Sequence, residues 1–488
     1  MGGLSRRGLL RSGVVAAAMW TAAGIAGCAA SSGGPGGLKR VAPSAQRTKI
    51  ILGMRAWGAG SGAAGSPQAI DGLLYQKTEP WRVKHKGVDI RILPNTGGPQ
   101  AVITSIIAGT GPDIYHSWHP GIIFAQPGYA ADLRPYLKQY NVDLSVFNKA
   151  QMDLFILSDG SIRALPYYLG TKTLAVCEGM LDQLGLSYPA PGWTYKDYAA
   201  LCTAVARGAA QRGGQPVYGG NYGLGNLGAP TAFLPPDCIL QGFGGSYVAP
   251  GNRAKCNLDS PGAVEAVAWA SALAWNHFTA GPGASANFGT TLAMNWAPSF
   301  FLPQAATAWR GLKWNYYPMP AFPRTGPVTG ATEDLWAMNP QTKYPDLAWD
   351  LLHWCAFGSP WQIAQMKMFL LSPALSALWD QWLTYVPKIA PPLAKKNLRA
   401  FADTVHNNHA YPLQFFRHGD PETENLINSY GQKIWVKQVG IHGGLSQLTA
   451  QVDAMQAALA QQKLPSFSQA RALLARERQR LQGMFQLS

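Results

Sequence analysis

Seventeen tryptophans and nineteen tyrosines stand in a chain of 488 residues that has only 25 acids. Several of the rings fall at strand ends or turns instead of inside helical stripes, among them Trp57, Trp118, Tyr167, Tyr222, Trp296 and Trp336. A pyranose presents an apolar face of C–H groups and an equatorial rim of hydroxyls. Aromatic rings cover such a face, and a carboxylate or amide accepts hydrogen bonds from such a rim. Glu333 and Asp334 lie beside Trp336 in the run Thr-Gly-Ala-Thr-Glu-Asp, where a carboxylate would accept with charge-assisted strength. The competing reading is a core residue for each ring and a surface acid or helix cap for each carboxylate. Trp269, Trp275, Trp349 and Trp354 fall on helical stripes and are assigned to packing.

Other chemistries find less support. Gly223-Leu-Gly-Asn-Leu-Gly spells a dinucleotide fingerprint, but no clear strand precedes it and Ala-Pro follows it in place of a helix. His116 and His119, like His406 and His409, are spaced three apart, with no cysteine or carboxylate pattern to complete a metal shell. They read as histidines in solvated turns, and no metal or other cofactor is expected. Walker A, nucleophile-elbow and HExxH motifs are absent. A glycosidase needs two carboxylates about 5 to 10 Å apart, and among so few acids no pair announces itself.

The formal net charge of +15 comes from scarce acids, not from lysine blocks, and the one dense basic patch is Ala470 to Arg480. A nucleic-acid partner is therefore not expected. Residues 1–27 place Arg6-Arg7 ahead of a short apolar run, and Ile25-Ala-Gly-Cys28 closes it. The first element resembles a twin-arginine export signal and the second a lipobox, with Cys28 the site of lipidation. The apolar run, Gly13 to Gly27, falls short of the about 20 residues that span a bilayer. Residues 28–47, with Ser31-Ser-Gly-Gly-Pro-Gly-Gly, read as lipid anchor and flexible tether, and 471–488 as a basic C-terminal helix. Five cysteines remain after Cys28, without CxxC spacing, and read by default as buried free thiols. One bridge, Cys238 to Cys256 across a Gly-rich turn, stays open as an alternative.

The elements that must position these residues alternate. Lys49-Ile-Ile-Leu-Gly-Met reads as a buried strand and Val88-Asp-Ile-Arg-Ile-Leu as a second. Gln100 to Gly109 reads as a helix, and Gly111-Pro-Asp-Ile-Tyr as a turn entering a third strand. A helix is expected over Pro261 to His277, capped by Asp259 or Ser260, and another from Lys343 onward. Leu292-Ala-Met reads as a short strand with Trp296 just beyond it. The alternation implies an α/β fold with a parallel sheet covered on both faces.

Four segments, in order, resemble the extracellular solute-binding proteins of ABC importers, the family 1 type that includes maltodextrin-binding and other sugar-binding lipoproteins. They are Gly109-Thr-Gly-Pro-Asp-Ile-Tyr with Gly128-Tyr-Ala-Ala-Asp-Leu-Arg-Pro-Tyr; Ile162-Arg-Ala-Leu-Pro-Tyr-Tyr with the run from Thr173 to Tyr198; Gln241-Gly-Phe-Gly-Gly-Ser-Tyr with Leu258-Asp-Ser-Pro; and Phe288 to Trp296 with Thr329 to Met338. The resemblance runs from about residue 48 to 375. Val176-Cys177 departs from the family's Tyr-Asn, and Gly289-Thr290 from its Gly-Lys.

The resemblance implies a two-lobed periplasmic-binding-protein fold of type II, with lobe one over 48–166 and 335–385, lobe two over 172–327 and 386–470, and chain crossings near Tyr167 and Gly330. It further implies a monomeric, exported, membrane-anchored binding protein, not an enzyme, that takes a sugar or oligosaccharide in the interlobe cleft and delivers it to a permease. A peptide, polyamine or metal ion in the same fold, or a secreted carbohydrate-active enzyme, stands as the alternative. Trp296 and Tyr167 are expected to face the cleft, opposite Trp57 and Trp118, with Tyr222, Glu333 and Trp336 completing the site.

Overall fold

The computed structural model describes residues 48–54, 75–94, 98–117, 128–221, 233–332, 334–407, 409–412, 416, 420–461, 468–469, 472 and 475–476. Cys28, Trp57, Trp118, Tyr222, Glu333, His119, the tether and most of the basic C-terminal segment lie outside the described residues.

The first sheet is built from β1 (Thr48–Met54), β2 (Val88–Pro94), β3 (Ile114–Ser117) and β4 (Leu165–Pro166). The chain continues through β5 (Lys172–Val176), β6 (Gly220–Asn221), β7 (Val248–Ala249), β8 (Asn252–Cys256), β9 (Thr279–Ala280), β10 (Met294–Pro298) and β11 (Asn315–Tyr317). The chain then returns through β12 (Thr329–Ala331) and β13 (Leu335–Met338), and crosses again at β14 (Ala410–Pro412). The first sheet has the order β2-β1-β3-β13-β4. β1 runs parallel to both β2 and β3, as the sequence predicts, but β13 lies antiparallel between β3 and β4. The second sheet, β10-β5-β11, is antiparallel throughout. A parallel sheet alone was the expectation; returning strands from a distant part of the chain break it.

Helices form where expected. Gly98–Ala108 follows β2, and Pro345–Phe357 packs on β13 and β3. Pro261–Trp275 begins with proline at its first turn, where the missing N–H costs nothing. Ser260 flanks it without capping it, since its hydroxyl donates to Asn257 O at 2.7 Å.

Two large hydrophobic cores form among the described residues. The first gathers Ile50, Trp81, Ile106, Leu154, Trp336 and Trp361; the second gathers Leu174, Tyr198, Leu240, Trp296, Ile427 and Leu448. The period of two along a strand divides the second sheet between them. Leu174 and Val176 point into the second core, while Ala175, Ala297 and Tyr316 face the other way, where Tyr316 meets Phe401 at 4.8 Å and Phe401 meets Trp382 at 6.1 Å. The first core is therefore continuous around the back of the second sheet. All five cysteines from Cys177 to Cys355 are free and buried, so the bridge between Cys238 and Cys256 does not form. Cys256 instead accepts from Thr449 Oγ1 at 3.6 Å.

Candidate functional site

Ligands of open α/β sheets sit beyond the carboxyl ends of the parallel strands. Register decides which residues meet there. Leu335 pairs with Ser117 on one side and with Pro166 on the other. The end of β3, the end of β4 and the start of β13 thus share one edge of the first sheet. Trp118 follows Ser117 directly in the chain, Glu333 precedes Asp334, and Trp57 comes three residues after the end of β1.

Just inside this edge lies a buried cluster. His116 Nε2 meets Asp334 Oδ1 at 2.9 Å, with the imidazole fully buried. The His116 ring lies 4.1 Å from Tyr167 and 6.0 Å from Trp336, and Tyr167 meets Trp336 edge-on at 5.1 Å. The Tyr167 amide donates to Asp334 O at 3.1 Å. Tyr167 and Trp336 are both buried. His116 is therefore not in a solvated turn, because all four residues of β3 are covered. Among the described residues no group of three or more His, Cys, Asp and Glu is placed to hold a metal.

Trp296 lies inside β10, not beyond a strand, and is 1% exposed. Its position opposite Leu174 turns it into the second core, where it packs against Tyr198 at 5.3 Å. Its indole N–H donates to Asn221 O at 3.1 Å, and Asn221 Nδ2 donates to Asn295 Oδ1 at 2.9 Å. Trp296 thereby holds the residue that immediately precedes Tyr222.

The crossings are laced to each other. The Thr332 hydroxyl accepts from Gly170 N at 2.6 Å and donates to Tyr168 O at 3.1 Å, while Gln151 Nε2 donates to Tyr168 O and Thr332 O at 2.7 and 3.0 Å. Lys172 N donates to Thr329 Oγ1 at 2.8 Å, and β12 pairs in parallel with β14. A Cβ on Gly170 would stand 2.4 Å from Thr332 Cγ2, so only glycine lets the two crossings approach this closely. Sequence reasoning singles out Tyr167 as facing the cleft, whereas the structure buries it, and misses His116, Asp334 as its partner, Gln151, Thr332 and Asn221. No local pattern distinguishes these polar residues from solvated ones.

Residues 64–357 match the model of the bacterial extracellular solute-binding protein family, more than half of the chain. The chain belongs to that family. This solute-binding protein is a transport component and not an enzyme. Solved structures share its fold at low identity. An ABC substrate-binding protein from Listeria monocytogenes in complex with cycloalternan is 16% identical, with TM-score 0.64, over 84% of this chain and 99% of that one. A cyclic alpha-maltosyl-1,6-maltose binding protein from Arthrobacter globiformis is 15% identical, with TM-score 0.65, over 84% and 100%. The sugar-binding protein MalE from Xanthomonas citri is 14% identical, with TM-score 0.64, over 85% and 100%. A search of curated proteins finds no significant match. The α/β solute-binding fold thus extends over most of the chain, beyond the part that the family model covers.

Proposed function

We propose that this solute-binding protein is the lipid-anchored receptor of an ABC importer and that it captures a sugar or oligosaccharide between its lobes. The observation that carries the reading is the register that brings the ends of β3, β4 and β13 to one edge, where the aromatic and acidic residues of the sequence follow or precede them. Trp57, Trp118, Tyr222 and Glu333 are assigned to direct contact with the solute. Tyr167, Trp296 and Trp336, which are buried, hold those segments from behind. The carbohydrate ligands named for two of the structurally similar proteins, cycloalternan and cyclic alpha-maltosyl-1,6-maltose, support a sugar as the solute. Arg6-Arg7 and Ile25-Ala-Gly-Cys28 support folded export and lipidation, with a permease in the same membrane as the partner. The protein acts as a monomer outside the cytoplasm.

Capture in the micromolar range, about −8 kcal/mol, suffices for such a receptor. A solute bound only by the folded state raises the melting temperature. In a thermal-shift screen of linear and cyclic malto-oligosaccharides, monosaccharides, polyamines, peptides and ferric ion, a shift with a saccharide is the expected result. A shift with an amine, a peptide or ferric ion alone would replace the sugar by that class, and hydrolysis of a glycoside would remove the receptor reading altogether.

A further inference from the structure

A cavity of about 350 Å³ opens where the helix Leu302–Ala308 ends and the turn Pro391–Leu393 packs against it. Trp309, Arg310, Leu312, Trp314, Pro391 and Lys396 are among its walls. Its volume is that of a small-molecule site, which spans about 300 to 1,000 Å³. Trp314 directly precedes Asn315, which pairs with Val176, whereas the first crossing enters β5 at Lys172, opposite Pro298. About 13 Å of strand thus separate the cavity's end of β5 from the crossing.

The walls offer donors and positive charge. Trp309 and Trp314 are buried, at 8% and 3% exposure. Their faces are taken: Phe288 lies 4.3 Å from the Trp309 ring, Lys396 Nζ stands 4.5 Å over the Trp314 ring, and the two indoles meet edge-on at 4.9 Å. Ring edges remain, the positive part of an aromatic quadrupole. Neither indole N–H has a partner among the described residues, whereas those of Trp81, Trp193, Trp296 and Trp382 find one. Neither is sealed from solvent, unlike the unpaired indoles of Trp336, Trp361 and Trp379. On rings so deeply buried, an accessible nitrogen opens onto the cavity that the rings line. Lys396 Nζ spends one proton on Trp314 O at 2.6 Å and has others to give. The exposed Arg310 guanidinium has no partner among the described residues. Burial holds the Lys396 ammonium below its usual range, opposed by Glu178, whose own carboxylate accepts from Tyr317 at 2.8 Å. Nearby acceptors are spent inside the protein: Trp309 O takes the Leu312 amide at 3.1 Å, Ala305 O the Trp309 amide at 3.2 Å and Pro391 O the Ala394 amide at 3.0 Å. Donors and cations between apolar walls match an oxyanion carried on a compact body.

We propose that this cavity is a second binding site, away from the crossings, for a small organic anion bearing a carboxylate or phosphate. The two indole N–H groups and Arg310 hold the oxyanion, Lys396 neutralises it, and Pro391 and Leu312 cover the body. Isothermal titration calorimetry of the purified protein tests this with benzoate, phenyl phosphate, glucuronate and glucose 6-phosphate, against benzyl alcohol and glucose as neutral counterparts. Saturable binding of at least one of the four anions is expected, and the carboxylate and phosphate arms read which head group it prefers. Arg310→Met weakens that binding at least about tenfold, the size of one charge-assisted hydrogen bond, and Trp314→Phe, which keeps a ring but removes the N–H, does the same. Absence of saturable binding by all four anions overturns the proposal. Equal binding of the neutral counterparts overturns it too, as does undiminished binding in either variant with native circular dichroism, which places the anion elsewhere. If Trp314→Phe does not fold, Arg310→Met, a change at an exposed side chain, decides alone. The thermal-shift screen for the interlobe solute leaves this result standing whichever way it falls.

Discussion

Trp296 combines two local roles, filling the second core against Tyr198 and donating to the Asn221 carbonyl. Cutting it to alanine removes the packed ring and leaves that carbonyl without its indole donor. Loss of a buried tryptophan costs roughly 3 to 5 kcal/mol of folding stability. Trp296→Ala is expected to lower the denaturation midpoint by a corresponding amount in urea titrations. Weakened solute binding at an unchanged midpoint would instead make the ring a binding platform. From the sequence Trp296 was expected just beyond a short strand at Leu292-Ala-Met; that it lies within β10 and faces the core depends on β5 pairing with it. The buried thiols follow the same logic: burial pushes Cys238 and Cys256 up to about 11, so they are protonated and inert.

At the scale of elements, the helix Tyr195–Gln211 shows how much is local. Thr194 Oγ1 accepts from Asp197 N at 3.4 Å, and Asp197 Oδ2 accepts from Thr194 N at 2.7 Å, which closes a capping box. Thr194→Ala is expected to cost about 1 kcal/mol, as other N-cap deletions do. Hydrogen bonds from the Thr194 hydroxyl and amide hold the Asp197 carboxyl below its usual range. Its contribution is therefore present above the unfolded-state value, near 4, and is lost as pH falls through the lower folded-state value. Denaturation of parent and variant at pH 7 and near pH 2 checks both points. The stability gap between them narrows in acid, and a gap that widens would contradict the assignment. Strands β1, β2 and β3 were similarly legible from their own residues, whereas β13 was read only through its family resemblance.

At the scale of the molecule, the two large cores among the described residues are joined by the hydrogen bonds of the crossings and by packing that runs behind the second sheet. Among the described residues no helix is long and apolar enough to cross a membrane. The proposed anchor is Cys28, with acyl chains contributing about 0.8 kcal/mol per buried methylene. Cys28→Ser is expected to move the protein from the membrane to the soluble fraction while leaving its melting temperature unchanged. Persistent attachment after carbonate washing would count against lipidation and point to another anchor.

What the sequence determined by itself are features that neighbouring residues settle among themselves. The apolar run of β1, the alternation of β2, the proline-led start of the helix Pro261–Trp275 and the order of family-like segments all belong here. Such signals arise from backbone geometry and short-range hydrogen bonds, and they persist whatever the rest of the chain does. Partners brought together over long separations were decided only by the tertiary structure. His116 meets Asp334 across 218 residues, Gln151 meets Thr332 across 181, and Arg253 meets Leu154 across 99. A polar residue in an apolar run looks the same in sequence whether its partner waits in the core or water takes its place. Burial makes the difference, since an unpaired polar group withdrawn from water costs more than a hydrogen bond returns. The aromatic residues divide for the same reason: composition marked them as candidates, and only the closing of two cores around Tyr167, Trp296 and Trp336 turned these three rings inward.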